Sequence, residues 1–398
     1  MALLEKEDVL KRGVEEIIIE EEFVEKLDSG KSLRLKMGFD PSAPDIHLGH
    51  AVGLRKLRQL QELGHKVVLI VGDWTAQIGD PSGRSQTRNM LSAEEVNANA
   101  QTYLDQFFKI VDRDRTEIRL QSEWFGPFSL ANVIELTSKF TVAQILARDD
   151  FAKRFSENQP IAITELLYPL LQAYDSVAIK SDVEFGGSDQ RFNLLVGREL
   201  QQSEGMKPQQ CFIMPLLPGT DGVQKMSKSL GNYIGIDEPA NEIFGKVMSI
   251  PDSLIGPYYE WLTDVPTKEV SEIKKSLENN SANPMDLKKR VAEILVAEYH
   301  GADSAVTAQT FFERTVQGNE LPEDIQEYIL STAISETGLR LSNILTDAGL
   351  TSSTGEARRL IEQGAIKLDD ETVTSNLDSS ELTKGVLREE VASVKNDY

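Results

Sequence analysis

The chain has 398 residues, with 42 Lys and Arg against 64 Asp and Glu, a formal charge of −22. That length corresponds to roughly two or three domains of about 100–200 residues each, and 40% apolar with 27% charged residues excludes a disordered or fibrous chain. So acidic a balance argues against an indiscriminate nucleic-acid binder, which draws on clustered Lys and Arg. Within residues 1–30, Val9, Leu10, Val14, Ile17 and Ile18 recur at spacings that predict amphipathic helices. Acidic residues stand there where a signal peptide needs a basic start and a long apolar run, and no other stretch approaches the roughly 20 apolar residues of a spanning helix. A single cysteine, Cys211, rules out an internal disulfide, and four histidines offer no Cys/His cluster for structural zinc. The expectation is a cytoplasmic protein with no membrane partner and no protein-bound metal.

LRLKMGFD (33–40) predicts a strand, Pro41 to Asp45 a turn, and HLGHAVGLRKLRQLQELG (47–64) a helix closed by Gly64. KVVLIVGD (66–73) is a nearly continuous β-branched run, as in a strand buried on both faces of a parallel sheet. Residues 92–182 read mostly as helix, opening on a capping box of Ser92 and Glu95 and interrupted by strand-like TEIRLQ (116–121). SDVEFGGSDQ (181–190) reads as strand and glycine turn, RFNLLVGRELQQ (191–202) as helix, and CFIMPLLPG (211–219) as a buried strand. Strand and helix therefore alternate over residues 1–235, the pattern of an α/β, Rossmann-like parallel-sheet domain. Residues 236–335 show no strand pattern and predict a helical domain. Residues 336–398 predict a last, small α+β module.

His47-Leu48-Gly49-His50 sits where the first sheet strand gives way to a helix. Ligands of open α/β sheets bind beyond the carboxyl ends of strands, and a helix N-terminus there offers free N–H groups and a positive dipole end to phosphate. His47 and His50, three residues apart, project from one side of the first turn, and Gly49 leaves room for a flat or charged group against the backbone. An ordinary polar turn fits an isolated HxGH equally well. Lys225-Met226-Ser227-Lys228-Ser229 follows the last sheet strand in a polar loop, where Lys225 and Lys228 can close as a cationic clamp on a polyphosphate. A solvated loop is the default for that pentapeptide alone; the pairing of the two motifs at one sheet edge favours the clamp. Tyr168, Gln172 and Asp175 share one helix face among Leu166, Leu167, Leu170 and Leu171, so a hydroxyl, an amide and a carboxylate can line one pocket.

HLGH and KMSKS in this arrangement resemble the two signatures of class I aminoacyl-tRNA synthetases. GFDPSAPDIHLGH (38–50), IGDPSGRSQTR (78–88), YPLLQAYD (168–175), GGSDQ (186–190) and KMSKS resemble, in the same order, the blocks of bacterial-type tyrosyl-tRNA synthetases, and the likeness covers essentially the whole chain. The resemblance implies roles residue by residue. Asp40, Ser42, His47, Gly49 and His50 match positions that hold ATP and its phosphates. Lys225 and Lys228 match the mobile loop that grips pyrophosphate, and Arg84 and Arg88 the basic positions that complete the cradle. Asp80 matches the group that binds the tyrosine ammonium, together with Tyr168 and Gln172, and Asp175 the acceptor of the phenolic hydroxyl. Asp189 and Gln190 match residues contacting the adenylate ribose and the amino-acid backbone end. A buried carboxylate facing a ring hydroxyl is left unpaired by phenylalanine, which is a strong basis for discrimination. One position departs: many members carry a Tyr before the GFD block that helps hold the phenol, whereas this chain has Lys36, which either pairs with Asp175 or points away.

The implied reaction activates tyrosine with ATP, Mg²⁺ being bound through the ATP phosphates, and then transfers it to the terminal adenosine of tRNA(Tyr). The stretch 136–155 resembles the family's dimerising insertion, about 120–165, so a homodimer is implied, and 236–335 stands as the helical tRNA-recognition domain. Residues 339–374 resemble the compact RNA-binding fold shared with a small-subunit ribosomal protein, with Arg358 and Arg359 on a helix able to meet RNA phosphates. Three other readings stay open. The tryptophan enzyme shares the architecture, although the tail module and the YxxxQxxD face favour tyrosine; an idle RNA-binding relative would not need the intact motifs; a small-molecule nucleotidyltransferase leaves the helical domain and tail unexplained. Residues 1–30 carry −6, whereas 31–60 carry +4 from Lys31, Arg34, Lys36, Arg55, Lys56 and Arg58 against Asp40 and Asp45. A positive strip around HLGH is thus expected, with tRNA held at a few local patches and only modest salt dependence.

Overall fold

A computed structural model describes residues 6–41, 46–80, 92–317, 340–351, 353–368, 371–376 and 387–389. The chain divides into two units, residues 1–313 and 314–398. The first begins with α1 (Lys6–Lys11), β1 (Glu16–Ile18), α2 (Glu20–Asp28), β2 (Arg34–Phe39), α3 (Leu48–Glu62), β3 (Lys66–Val71), α4 (Thr75–Ile78), α5 (Ala93–Phe107) and β4 (Thr116–Leu120). Then come α6 (Ser122–Phe125), α7 (Leu130–Ser138), α8 (Val142–Leu146), α9 (Asp149–Ser156), α10 (Ile163–Ala178), β5 (Val183–Gly187), α11 (Arg191–Ser203) and β6 (Gln210–Met214). α12 (Ala240–Ser249), α13 (Ile255–Leu262), α14 (Thr267–Glu278), α15 (Pro284–His300) and α16 (Ala302–Phe312) complete it.

The sheet order is β1-β6-β5-β2-β3-β4, with every neighbouring pair parallel except β1 and β6. β3 and β4 lie to one side of β2 and β5 and β6 to the other, so the strand order reverses at β2/β5. That is where a doubly wound sheet opens a crevice for ligands. Val67, Val68, Leu69 and Ile70 of β3 are all fully buried, as their unbroken apolar run requires. Each such side chain contributes about 1.5–3 kcal/mol on leaving water. The capping box at Ser92 forms as expected, and Gly64 ends α3 with a left-handed φ of 98°.

One segment differs from its sequence pattern. Residues 16–18 form an edge strand antiparallel to β6, with Ile17 opposite Phe212, rather than a helix. Gly13 and Ile19 both take positive φ and interrupt helical backbone on either side, and the β-branched Ile17–Ile19 run suits a strand once β6 offers its edge.

The helices after β6 share one core with α3 and the sheet, through Leu54, Leu57, Phe244, Tyr258, Val291 and Leu295. Polar ties reinforce it. Arg12 donates to the carbonyls of Tyr259, Glu260, Thr263 and Val265 around the end of α13, while Arg55 and Arg58 of α3 pair with Asp264 and with Glu298 of α15. The second unit comprises α17 (Leu341–Asp347), α18 (Thr354–Glu362), β7 (Ile366–Leu368), β8 (Glu371–Val373) and β9 (Leu387–Glu389), an α+β module with antiparallel order β8-β7-β9. Leu341, Leu345, Ala357, Ile361 and Ile366 form its core. Among the described residues no helix is long and apolar enough to cross a membrane.

Candidate active site

Asp40 follows β2 directly. Its Oδ1 accepts from Thr75 Oγ1 at 2.6 Å and its Oδ2 from the Tyr168 hydroxyl at 2.8 Å. Gly72, just past β3, is needed for that approach, since a Cβ there would lie 2.2 Å from Asp40 Oδ1. His47 caps α3 with extended backbone: its Nδ1 accepts from the Gly49 N–H at 3.2 Å, and its own N–H donates to His50 Nδ1 at 3.3 Å. Each Nδ1 is thus an acceptor, so each neutral ring carries its proton on Nε2. The two rings lie 3.9 Å apart between centroids. Burial first, and Lys228 next, push His50 down to about 4; burial and His50 hold His47 well below the usual imidazole range. Near neutral pH both rings are therefore uncharged, each able to donate from Nε2, and the His50 Nε2 lies 3.4 Å from the Tyr103 hydroxyl. The space at Gly49 serves His47 itself, because a Cβ would come within 2.9 Å of that ring.

Tyr168 and Asp175 of α10 are buried and Gln172 is half-buried. Burial and the neighbouring Asp40 keep the Tyr168 phenol protonated, well above its ordinary value. Asp175 accepts from Gln121 Nε2 through both oxygens, at 3.1 and 2.9 Å, and from Trp124 Nε1 at 3.1 Å. Burial pushes its carboxyl up to about 7 against these donors. Gln190 Nε2 donates to Asp80 Oδ2 at 2.7 Å, and Gln172 Nε2 to Glu184 Oε1 at 3.1 Å. The Tyr168 hydroxyl, the amides of Gln121, Gln172 and Gln190 and the carboxylates of Asp40, Asp80, Asp175 and Glu184 thus lie in short hydrogen-bonded contacts around α10, groups of the kind that an ammonium and a phenol require.

Past β6, Lys225 Nζ donates to Asp189 Oδ2 at 2.8 Å, and Lys228 Nζ lies 5.6 Å from the centroid of Tyr233. Asn232 gathers the loop: its Oδ1 accepts from the Ser227 N–H at 2.8 Å, and its Nδ2 donates to Asp221 Oδ2 at 2.6 Å and to the Lys225 carbonyl at 3.2 Å. The backbone then pairs with the HxGH turn, Leu48 N–H to Ile234 O and Ile236 N–H to Ile46 O, at 2.9 and 3.0 Å. Backbone pairing thus joins the two motifs, and both lysine cations lie near enough to the two imidazoles to disfavour their protonation.

The family described as tRNA synthetases class I (W and Y) matches residues 28–317. The chain belongs to that family. The S4 domain matches residues 339–377, over the second unit. The tyrosine–tRNA ligase of Dehalococcoides mccartyi strain CBDB1 is 62% identical over 368 residues, 92% of each chain, and that of Moorella thermoacetica 51% identical over 381 residues, 95% of this chain and 91% of the other. Among solved structures, a tyrosyl-tRNA synthetase complexed with L-tyrosine from Archaeoglobus fulgidus is 25% identical, with a TM-score of 0.63 over 78% of this chain and 100% of that one.

Of the residues that the likeness to these synthetases singles out, Ser42, Arg84 and Arg88 lie outside the described residues. Of the others, Asp40 meets Tyr168, Asp80 meets Gln190, Asp189 meets Lys225, and Lys225 and Lys228 both act on His47 and His50 across the Gly49 turn, while Gln172 and Asp175 share α10 with Tyr168. Lys36 requires a correction: it neither pairs with Asp175 nor points away. The β2/β5 register sets it beside Glu184, and Nζ donates to Glu184 Oε1, Ser176 Oγ and the Gln172 carbonyl at 2.8–2.9 Å, fully buried.

The positive strip around HLGH also dissolves. Arg55, Arg58 and Arg34 are ion-paired, and Lys56 is buried against the Val9 carbonyl, burial pushing it down to about 7. Sequence reading missed Thr75, Gln121, Trp124, Glu184 and Asn193, whose contacts join different elements and leave no local spacing to detect. A Glu inside the apolar VEFGG strand was the one available signal.

Proposed function

We propose that this chain is a tyrosine–tRNA ligase, which activates L-tyrosine with ATP and transfers it to the 3′-terminal adenosine of tRNA(Tyr). The observation that carries the reading is the pair of sites in one crevice: the two-imidazole, two-lysine wall, and the Asp175 carboxylate buried at the far end of the Tyr168–Gln172–Asp175 face. A tyrosine seated there sends its phenol to Asp175 and its ammonium to Asp80, Tyr168 and Gln172. Its carboxylate oxygen attacks the α-phosphorus, forming an O–P bond as the bond to pyrophosphate breaks, and pyrophosphate leaves with the electron pair. A tRNA ribose hydroxyl then attacks the carbonyl carbon, AMP departs, and the hydroxyl proton is released. No enzyme nucleophile is needed; the protein orients the groups and stabilises charge on the phosphates. His47 and His50 contribute neutral Nε2–H donors, and Lys225 and Lys228 full charges, with Arg84 and Arg88 as further cations and Asp40, Ser42, Gly49 and Asp189 contacting the nucleotide. Mg²⁺ carried on the ATP phosphates would offset part of their charge.

Residues 1–235 carry the catalytic machinery, 236–335 tRNA recognition and 336–398 further RNA contact. Support for the last comes from α18, where Arg358 and Arg359 are exposed opposite the buried Ala357 and Ile361. The protein works in the cytoplasm as a homodimer joined through the 120–165 insertion, in which Leu130, Ile134, Val142, Phe155 and Ile163 are exposed. ATP–pyrophosphate exchange with each amino acid in turn tests the function: exchange confined to tyrosine supports it, and none with any amino acid sinks it. In the same assay Lys228→Ala should slow exchange by about 10²-fold or more while tyrosine KM moves little. Equal loss in both would remove Lys228 from the clamp.

A further inference from the structure

Asn193 of α11 is fully buried beside the amino-acid end of the crevice. Its Nδ2 spends one hydrogen on Gln172 Oε1, at 3.1 Å, and the other on Gln190 Oε1, at 3.0 Å. Its Oδ1 accepts from Arg148 Nη1 at 3.3 Å. Arg148 is itself fixed, with two bonds of 2.6 Å to Asp150 and its guanidinium over the Phe151 ring.

We propose that Asn193 is a positioning residue for the substrate ammonium: it sets the direction of both glutamine amides, so that their oxygens converge on one side. The inference rests on the tyrosine reading of this site. An amide can face either way at little cost unless both ends are specified. Here they are. At their far ends the Gln172 and Gln190 amides donate to Glu184 Oε1 and Asp80 Oδ2, and Lys36 and Ser176 hold Glu184 in place.

Turning either glutamine over would set oxygen against carboxylate at one end and N–H against N–H at the other. Donation therefore runs outward from Asn193 along two arms, through Gln172 to Glu184, which Lys36 also meets, and through Gln190 to Asp80. An ammonium is donor-only, so it needs oxygens facing it; a glutamine turned over would present hydrogens instead. Removing Asn193 frees the near end of both amides at once and leaves their orientation to a single bond each.

The test compares L-tyrosine with 3-(4-hydroxyphenyl)propionate, which has the phenol and carboxylate but no ammonium, binding to the full-length protein by calorimetry. Asn193→Ala should weaken L-tyrosine by about 10-fold or more and the propionate by less than about 2-fold, with ATP KM unchanged. Arg148→Met, which frees Asn193 Oδ1, should show the same selectivity at smaller size, and provides the measurement if Asn193→Ala does not fold. Equal weakening of both ligands, or of neither, would overturn the proposal. Failure of the unsubstituted protein to bind L-tyrosine would instead refute the tyrosine reading itself.

Discussion

Asp175 combines two opposed influences. Burial disfavours its ionised form more strongly than the nearby Lys36 cation and three accepted hydrogen bonds favour it, taking the carboxyl from an ordinary value near 3.8 up to about 7. Because the folded value is raised, this group stabilises the fold fully below the unfolded value and loses that contribution as pH rises through 7. Its effect on ligand runs the other way. A phenol donates its proton, so the carboxyl must be ionised to accept it, and below pH 7 the competing proton has to leave first. Tyrosine affinity should therefore fall about 10-fold per pH unit below 7, and Asp175→Asn should flatten the profile. Fluorescence titration of tyrosine binding from about pH 8 to 5.5 reads this directly; a flat profile in the unsubstituted protein would refute it. The sequence showed Asp175 as one residue of a helical face, but not Gln121 and Trp124, which approach from the end of β4. Side chains that meet only through tertiary packing have no mark in the spacing of their own segments.

Strands and helices were legible where one element satisfies itself. The apolar run of β3, the His47 start and Gly64 end of α3, and the Ser92 capping box each follow from residues within a few positions of one another. β1 was not, because its pairing edge comes from β6, about 195 residues later in the chain. Register across β2 and β5 was equally hidden, and with it the meaning of Lys36. A buried pair such as Lys36 and Glu184 adds little stability over an apolar pair of the same size, yet removing one partner strands a charge. Lys36→Met should accordingly destabilise by about 3–5 kcal/mol, and Lys36→Met with Glu184→Met should recover most of that loss. Thermal melting of the three proteins decides it. A double variant as unstable as the single would mean that the lysine matters through its bonds to Ser176 and Gln172 rather than its charge.

At the scale of the whole molecule, the charge of −22 does not hide a basic face around the HLGH turn, because most of the cations in residues 31–60 are consumed inside the fold. On the proposed reading, in which tRNA meets a few local groups such as the exposed Arg358 and Arg359, the salt dependence is small. A plot of log affinity for tRNA against log salt should have a slope of about −3 or shallower, corresponding to about four or fewer phosphates. Filter binding between about 50 and 200 mM salt measures it, and a slope near −8 would require a basic surface that lies elsewhere. The cations lost from the surface have a further consequence. α3 begins at the two histidines, and Arg55 and Arg58 on its later turns are neutralised by carboxylates that arrive only with residues 264 and 298. A chain cut near residue 235 would carry those cations without their counter-charges, alongside an Arg12 deprived of the carbonyls it binds. Residues 1–235 are therefore not a detachable part: the helices that follow the sheet supply the counter-charges of α3.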